Sequence, residues 1–407
     1  MVRFEIKKIF SRAGGKLALL LLFIILVIVS VFAVRYVDYT DENGNNTYGF
    51  QAVRLLRERK SEWSGYLTED VFAAVIKENA AIEATPEAKS KDFHENNKAY
   101  AKKQGFSDIR DIINSSLSSF REYNYYLIDG ANVDDSKYVY QRRISTLQEW
   151  LNSDEAKDRY SADQKAFFLE KYQELDTPLY YEDADGWKAL LEYSQTIIML
   201  TMLILSFLVC GIFSGEYQLK ADAVFFSTAE GRRKGIRAKI LAGLVMITIV
   251  YWGMVIIYSL VVLGILGTSG WNCPIQTSLY GWKSLYNITF FEDYLFTIIG
   301  GYIGNLAILF AEMLLSVITR SAVISITFPF VILFLPSFVG GIDRLSEFLG
   351  LFPDQLLQIG VAVRLFNTYE IGSKVFGALP ILFISYPIIV CLMIPIIYQI
   401  YRKSEIR

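Results

Sequence analysis

The chain has 407 residues, of which 53% are hydrophobic, and its 40 basic and 42 acidic residues give a formal net charge of −2. This balance argues against a nucleic-acid-binding protein, which would present a net basic surface. Charge is also segregated along the chain, because long tracts carry almost none while residues 38–192 are rich in Asp, Glu, Lys and Arg. We therefore expect two environments, lipid and water, and not one mixed core.

Cysteine and histidine usage excludes several kinds of site. The three cysteines, Cys210, Cys273 and Cys391, are far apart, so neither a disulfide framework nor a zinc-ligand spacing is present. The single histidine, His94, lies in a polar segment, where a solvated surface residue is favoured over a metal ligand or a general base. A catalytic triad built on histidine is therefore not expected.

The N-terminal segment, residues 1–16, is basic and precedes an apolar run over residues 17–34. Its basic residues are Arg3, Lys7, Lys8, Arg12 and Lys16. A cleaved signal peptide would also begin this way, but 18 apolar residues are many for a signal peptide and the following cleavage motif is weak. We interpret residues 1–16 as an interfacial helix and residues 17–34 as a retained first span.

Six apolar runs are long enough to cross a hydrocarbon core of about 30 Å as helices. They are residues 17–34, 196–213, 240–266, 295–318, 323–339 and 378–401. We therefore predict an all-α polytopic membrane protein with six transmembrane helices.

Orientation follows from the basic residues that flank these runs. Lys and Arg concentrate in residues 1–16, in residues 214–239 and in the tail, residues 402–407, and Arg320 lies in the short turn at residues 319–322. An alternating path places all four segments in the cytoplasm. Three segments are then outside, namely residues 35–195, 267–294 and 340–377.

The first outer segment, residues 35–195, is predicted to be a large, mainly helical extracytoplasmic domain. Two amphipathic patterns carry this prediction, with apolar faces at Val71, Phe72, Val75 and Ile76, and at Ile109, Ile112, Ile113, Leu117 and Phe120. Helix starts are expected at Thr85 before Pro86, at Ser107 before Asp108, and at Ser161, which forms a capping box with Gln164. The last helix of this segment is expected to run directly into the second span.

The cytoplasmic loop, residues 214–239, contains the strongly basic stretch FFSTAEGRRKGIRAKI. Val224, Phe225 and Phe226, with Ile236 and Ile240 beyond Gly231, can form one apolar face, and Ser227 and Thr228 are suitable caps. We predict a short interfacial helix at the mouth of the bundle. The simpler alternative, that the basic residues only enforce topology, explains the charges but not the order of the other residues.

A polar stripe marks the fourth span, residues 295–318. Gly301, Asn305, Glu312, Ser316 and Thr319 recur at close to the helical repeat and so share one face. Since ionisable residues at membrane depth are costly unless they face protein or water, this face is predicted to point inward. Asn305, Glu312 and Ser316 are candidate transport-pathway residues. The alternative is that Glu312 forms a hydrogen bond to a neighbouring helix or lies near the cytoplasmic end of the span.

The third outer segment, residues 340–377, is too long for a simple turn. We expect short re-entrant or interfacial helices there, before the last span.

The loop stretch GEYQLKADAVFFSTAEGRRKGIRAKIL resembles the first cytoplasmic loop of the ABC-2 type permeases, the membrane subunits of one class of ATP-driven transporters. The positions that match the motif of that loop are Glu216, Phe225, Phe226, Ser227, Thr228, Ala229, Arg232 and Lys239. The proline usual in the family is replaced by Ala229, and its usual leucine pair by phenylalanines. RFEIKKIFSR, LLSVITRSA and LGLFPDQLL also resemble segments of that family.

The resemblance implies a permease subunit in a bacterial cell membrane, and not an enzyme. It implies a separate ATPase partner that binds the loop through Glu216, Phe225, Phe226, Ser227, Thr228, Arg232 and Lys239. It also implies a second permease subunit, identical or not, and an exported amphipathic substrate such as a peptide, an antibiotic or a lipid-like molecule.

No phosphate-binding G-x-x-x-x-G-K-[ST] motif occurs, so ATP would be bound by the partner and the chain itself needs no cofactor. Charge reversal at Arg232, or Phe225→Asp, is expected to uncouple ATP hydrolysis from transport. The alternative function is a polytopic sensor or scaffold with a ligand-binding outer domain.

Overall fold

The computed structural model of the chain describes residues 1–11, 13–340 and 343–403. Arg12 of the basic N-terminal segment, residues 341–342 of the third outer segment and residues 404–407 of the tail lie outside these ranges. Within them the chain is mainly helical. Six helices there are long and apolar enough to cross a membrane, as predicted, and the chain is a multi-pass membrane protein.

The helices follow one another through the whole chain. They are α1 Val2–Ser11, α2 Ala13–Arg35, α3 Phe50–Ser61, α4 Glu69–Glu83, α5 Phe93–Lys103, α6 Ser107–Leu117, α7 Val139–Asn152, α8 Ala162–Gln173, α9 Asp185–Val209, α10 Gly211–Gln218, α11 Asp222–Ser227, α12 Ile236–Leu266, α13 Phe290–Thr319, α14 Ala322–Val339, α15 Asp343–Leu349, α16 Asp354–Leu357, α17 Ile359–Ala362 and α18 Ala378–Arg402. Short 3-10 turns occur at Gln104–Phe106, Leu127–Gly130, Val133–Tyr138 and Ile275–Thr277, and a π-helical turn at Gly231–Gly235.

Strands occur only as three small antiparallel pairs in the described residues. They are β1 Asp38–Thr40 with β2 Asn46–Tyr48, β3 Gly65–Tyr66 with β4 Tyr180–Tyr181, and β5 Thr368–Ile371 with β6 Lys374–Gly377. The third pair lies in the segment for which only helices were expected.

The candidate spans differ in how much of their surface lies within the protein. The most apolar windows of α9 and α13 are 56% and 61% buried, whereas those of α14 and α18 are each 22% buried. Helices α9 and α13 therefore form the centre of the bundle, and α14 and α18 leave most of their apolar surface for lipid. Polar residues on α13 consequently face protein.

Residues 36–184, here called the intervening region, lie between the first two candidate spans and contain α3 to α8. The predicted apolar faces are buried, since Phe72, Val75 and Ile76 of α4 and Ile109, Ile112 and Ile113 of α6 belong to one hydrophobic core. A second core joins α7 and α8 through Leu147, Trp150, Phe168 and Tyr172. These two predictions of amphipathic helices are confirmed.

The intervening region also packs on segments far along the chain. Arg143 of α7 donates hydrogen bonds to the carbonyl oxygens of Trp282 at 2.8 Å and Ser284 at 2.9 Å. Phe366 inserts into the second core, where its ring contacts Phe120, Trp150 and Phe168. The region is therefore held by more than the two spans that flank it in the sequence. It is also held by the segments that precede α13 and α18.

The helix starts were predicted with mixed success. Ser161 caps α8 and forms the expected capping box with Gln164. No helix begins at Thr85, because α5 starts at Phe93 after the cap Asp92, whose side chain accepts a hydrogen bond from the amide of Glu95. Ser107 is the first residue of α6 and not its cap, since a 3-10 turn leads into this helix without a break.

A buried cluster of four charges joins the intervening region to the start of α9. Lys60 Nζ lies 2.9 Å from Asp108 and 2.6 Å from Asp185, and Lys188 Nζ lies 2.7 Å from Asp108. Tyr181 donates a hydrogen bond of 3.0 Å to Asp108. Two lysines and two aspartates cancel in charge, so the cluster can be buried, provided that all four groups are present.

The Asp108 carboxyl shows how strongly this cluster acts. Burial alone would raise its pKa, but Lys188 and Lys60 outweigh burial and hold the pKa well below the ordinary value of 3.8. Because the folded state binds this proton less readily than the unfolded state, the contribution to stability is present above about pH 5. It is lost as the pH falls below 3.8 towards the folded pKa.

Asp108→Asn is expected to lower the free energy of unfolding by about 3–5 kcal/mol at pH 7, because it leaves buried positive charge uncompensated. Thermal unfolding of the purified protein measures this. Asp70→Asn, at an exposed position of the same region, should change stability by less than about 0.5 kcal/mol. Equal stability of the two variants would show that the charge cluster does not hold the joint together.

The segment before α18 contains α15, α16 and α17, in line with the expected short helices. Leu356 and Leu357 of α16 pack against Gly304, near the middle of α13, and a Cβ atom at Gly304 would stand only 2.9 Å from Leu357 Cδ2. Glycine at this position lets α16 approach the centre of the bundle closely.

Candidate functional site

Residues 214–239 lie at the end of the bundle opposite to the intervening region, because α9 spans the distance between them. We call this the loop end. Helix α10 ends where Lys220 adopts a left-handed conformation with φ of 52°. The six-residue helix α11 follows, and then Thr228 Oγ1 accepts a hydrogen bond of 3.0 Å from the amide of Gly231. The π-helical turn then leads into α12.

Glu216 is the centre of an ion network at the loop end. Its Oε1 accepts hydrogen bonds from Lys8 Nζ at 2.7 Å and from Lys239 Nζ at 2.8 Å. Lys239 is completely buried and also contacts Glu5 at 3.1 Å and the carbonyl oxygen of Ile212 at 2.9 Å. The network connects α1, α10 and α12, so it fixes the N-terminal helix against the bundle.

An aromatic cluster lies beside this network. Phe226 is buried, and its ring meets the ring of Tyr401 edge-on with centroids 5.1 Å apart. Phe213, Tyr217 and Phe225 also pack on Tyr401. Tyr401 Oη donates a 3.2 Å hydrogen bond to the carbonyl oxygen of Phe213. The end of α18 therefore anchors α11.

Arg232 ties the same loop to the end of α18. Its Nε donates to the carbonyl oxygen of Phe226 at 2.6 Å, and a terminal nitrogen donates to that of Arg402 at 3.1 Å. The guanidinium also lies 5.4 Å from the centre of the Phe226 ring. Charge reversal at Arg232 would disturb the loop itself and cannot isolate an effect on partner binding.

The outer surface of the loop is formed by a different set of residues. Val224 is 73% exposed, and Ser227, Thr228, Arg233 and Lys234 are exposed around it. Phe226, Ile236 and Ile240 are buried in one hydrophobic core against which Phe225 packs. The expected apolar face is therefore present without Val224.

The seven predicted partner-binding residues thus fall into three groups. Ser227 and Thr228 are exposed, and Phe225 and Arg232 are half-buried. Glu216, Phe226 and Lys239 are buried inside the chain and act as the framework of the loop. Sequence reasoning did not single out Glu5 and Lys8 of α1 or Tyr401 of α18. The spacing of Glu5 and Lys8, which puts both charges on one helix face, was the available signal.

The predicted stripe on α13 is buried, as expected from its inward direction. Asn305, Glu312 and Ser316 are each completely inaccessible to solvent. Ser316 Oγ donates to the carbonyl oxygen of Cys210 at 2.8 Å and accepts from the amide of Ser214 at 3.3 Å. It therefore bridges the junction between α9 and α10, which is a structural role.

Glu312 and Asn305 have unmet hydrogen-bonding capacity. Among the described residues, neither carboxylate oxygen of Glu312 has a partner at hydrogen-bond geometry, and Asn305 Oδ1 has none. The Asn305 amide nitrogen donates to the carbonyl oxygen of Gly301 within the same helix at 2.8 Å. The candidate partner for Glu312 on a neighbouring helix is Ser206 of α9, which interacts with the carboxyl group without meeting the geometry of a hydrogen bond.

His94 is exposed, and all three cysteines are free. The described residues contain no group of three or more His, Cys, Asp or Glu side chains placed to hold a metal ion. Comparison with known proteins found no matching family, no matching curated protein and no matching solved structure.

Proposed function

We propose that the chain is the membrane-spanning permease subunit of an ATP-driven transporter and that it exports an amphipathic substrate. A separate ATPase subunit supplies the energy and binds the loop end. Support comes from the resemblance of residues 214–239 to the loop of ABC-2 type permeases. The other resembling segments also occur in the order expected for this family, in a chain with six candidate spans. A second permease subunit completes the transporter.

The topology in this proposal rests on the positive charges. We place the loop end, α1 and the end of α18 in the cytoplasm, because basic residues concentrate there. The intervening region then lies outside the cytoplasm. Labelling of introduced cysteines with a membrane-impermeant maleimide tests this placement, since a cysteine at Phe93 should react in intact cells and one at Val224 should not.

One observation carries the docking proposal, namely the position of Val224. It is an exposed apolar residue on α11, a short helix that is held by the burial of Phe226, by the hydrogen bond of Arg232 to Phe226 and by the contact of Lys239 with the Phe225 ring. An apolar anchor on a rigid support, next to exposed Arg233 and Lys234, suits a partner groove with an apolar floor and an acidic rim.

The transport pathway in this proposal follows the contact between α9 and α13. Asn305 and Glu312 are buried on α13, which would have to separate from α9 during alternating access. ATP can drive such a change only if its binding favours one arrangement over the other.

Affinity capture of the tagged chain from its native membrane tests the proposal. The expected result is a co-purified protein that hydrolyses ATP, with hydrolysis stimulated by amphipathic compounds in liposomes. Capture of a partner without ATPase activity would contradict the proposal and would favour the sensor or scaffold alternative.

A further inference from the structure

Buried polar side chains run along α13 from one end of the bundle towards the other. Asp293, Thr297, Asn305 and Glu312 are separated by four, eight and seven residues, so they form one stripe on the helix. None of them is more than 8% exposed. The 19 residues from Asp293 to Glu312 rise about 28 Å, which is close to the thickness of a hydrocarbon core.

Several buried oxygen atoms along this stripe have no hydrogen-bond partner among the described residues. The unpartnered atoms on α13 are Asp293 Oδ1, Thr297 Oγ1, Asn305 Oδ1 and both carboxylate oxygens of Glu312. On α9, Thr201 Oγ1 and Ser206 Oγ are also buried and unpartnered. Buried polar atoms are nearly always paired, so a run of exceptions on two packed helices indicates a place that water or a proton visits.

The Asp293 end of the stripe opens into a small cavity of about 40 Å³, which has a partly polar lining and room for roughly three water molecules. Its lining includes Tyr36, Glu192, Ser278, Tyr280, Asp293 and Arg364. The Asp293 carboxyl can therefore exchange a proton with water at this end.

The middle of the stripe is closed by tight packing. Gly301 faces Ile198 and Tyr251 so closely that a Cβ atom at Gly301 would stand 2.8 Å from Ile198 Cδ1. The Tyr251 hydroxyl donates a 2.7 Å hydrogen bond to the carbonyl oxygen of Ile298 and is thereby occupied. No water chain fits between these groups, so the two halves of the stripe are separated in this conformation.

Glu312 lies beyond this closure, towards the loop end. Among the described residues no basic side chain forms an ion pair with it, and its burial is complete. An unpaired carboxylate ion in such a place is far more costly than the neutral acid. The neutral carboxylic acid is therefore the form that fits this conformation.

We propose that the contact between α9 and α13 is a proton path in two halves, with Asp293 as the acceptor at one end and Glu312 as the proton-binding site at the other. A proton adds to a Glu312 carboxylate oxygen to give the neutral acid, and it leaves to water when α9 and α13 separate at the Gly301 closure. No other bond forms or breaks. This activity goes beyond the proposed export function, because it requires no ATPase.

Infrared spectroscopy of the purified chain in lipid nanodiscs tests the protonation of Glu312. The wild-type protein at neutral pH should show a carboxylic acid carbonyl band whose Glu312 component is missing from Glu312→Gln. Glutamine has the shape of the neutral acid and no charge, so this variant should fold normally. Glu292→Gln, at an exposed position of the same helix, should keep the band, since glutamine also preserves the capping box with Thr289.

Proton flux tests the path itself. Liposomes that contain the purified chain and a pH-sensitive dye should dissipate an imposed pH gradient faster than protein-free liposomes. Glu312→Gln should reduce the added flux at least about tenfold, and Glu292→Gln should not change it. Equal flux in wild type and Glu312→Gln, a wild-type flux no greater than that of empty liposomes, or an infrared band as intense in Glu312→Gln as in wild type would each overturn the proposal.

Discussion

Lys239→Met is expected to lower the free energy of unfolding by about 3–5 kcal/mol. The substitution removes the completely buried ammonium group that forms ion pairs with Glu216 and Glu5. Methionine keeps much of the side-chain volume, so the loss reports charge and not a cavity. Thermal unfolding of the purified protein, with limited proteolysis at the loop end, measures the effect.

Lys234→Met is the matched control. Lys234 is exposed and forms an i, i+4 pair with Glu230 at 3.0 Å, so its replacement should cost less than about 0.5 kcal/mol. The double variant Lys239→Met with Glu216→Gln should be more stable than the sum of the single effects predicts, since it also removes the carboxylate that has lost its buried partner. Additive effects in this cycle would contradict a coupled network.

Val224→Asp is expected to abolish binding of the ATPase partner without destabilising the chain. Val224 is 73% exposed, so the substitution should change the free energy of unfolding by less than about 0.5 kcal/mol. A charge placed on a central apolar anchor commonly costs more than about 2 kcal/mol of binding, or roughly thirtyfold in affinity. Co-purification of ATPase activity and substrate transport should fall together.

Phe93→Asp provides the control for this experiment. Phe93 is 77% exposed in the intervening region, at the first residue of α5, where an acidic residue is compatible with the helix. This variant should bind the ATPase and transport substrate normally. If Val224→Asp binds the ATPase and transports substrate as the wild type does, α11 is not the docking surface.

Much of the architecture could be predicted because its signals are local. A run of about 20 apolar residues must form a helix in lipid, and the periodicity at Phe72 and Ile109 identifies buried faces without any knowledge of the partners. The continuation of the last helix of the intervening region into the second span was also predicted, and it is confirmed because α9 is one helix from Asp185 to Val209.

At the loop end the sequence identified the residues of the motif but not the contacts that bury some of them. Glu216, Phe226 and Lys239 carry the resemblance to the permease loop, yet they are buried through contacts with Lys8 and Tyr401, which are remote in sequence. No local pattern specifies such pairings. The direction of the α13 stripe could be predicted from spacing alone, whereas the missing partners of Glu312 depend on what α9 presents to it.

Site-specific photo-crosslinking at position 224 tests the docking proposal most directly. A photoreactive residue at Val224, expressed in the native membrane, should form a covalent adduct with a protein that hydrolyses ATP, and the same residue at Phe93 should form none with that protein. An adduct of that ATPase at Phe93, or no ATPase adduct at Val224, would contradict the assignment of the loop end as the docking surface.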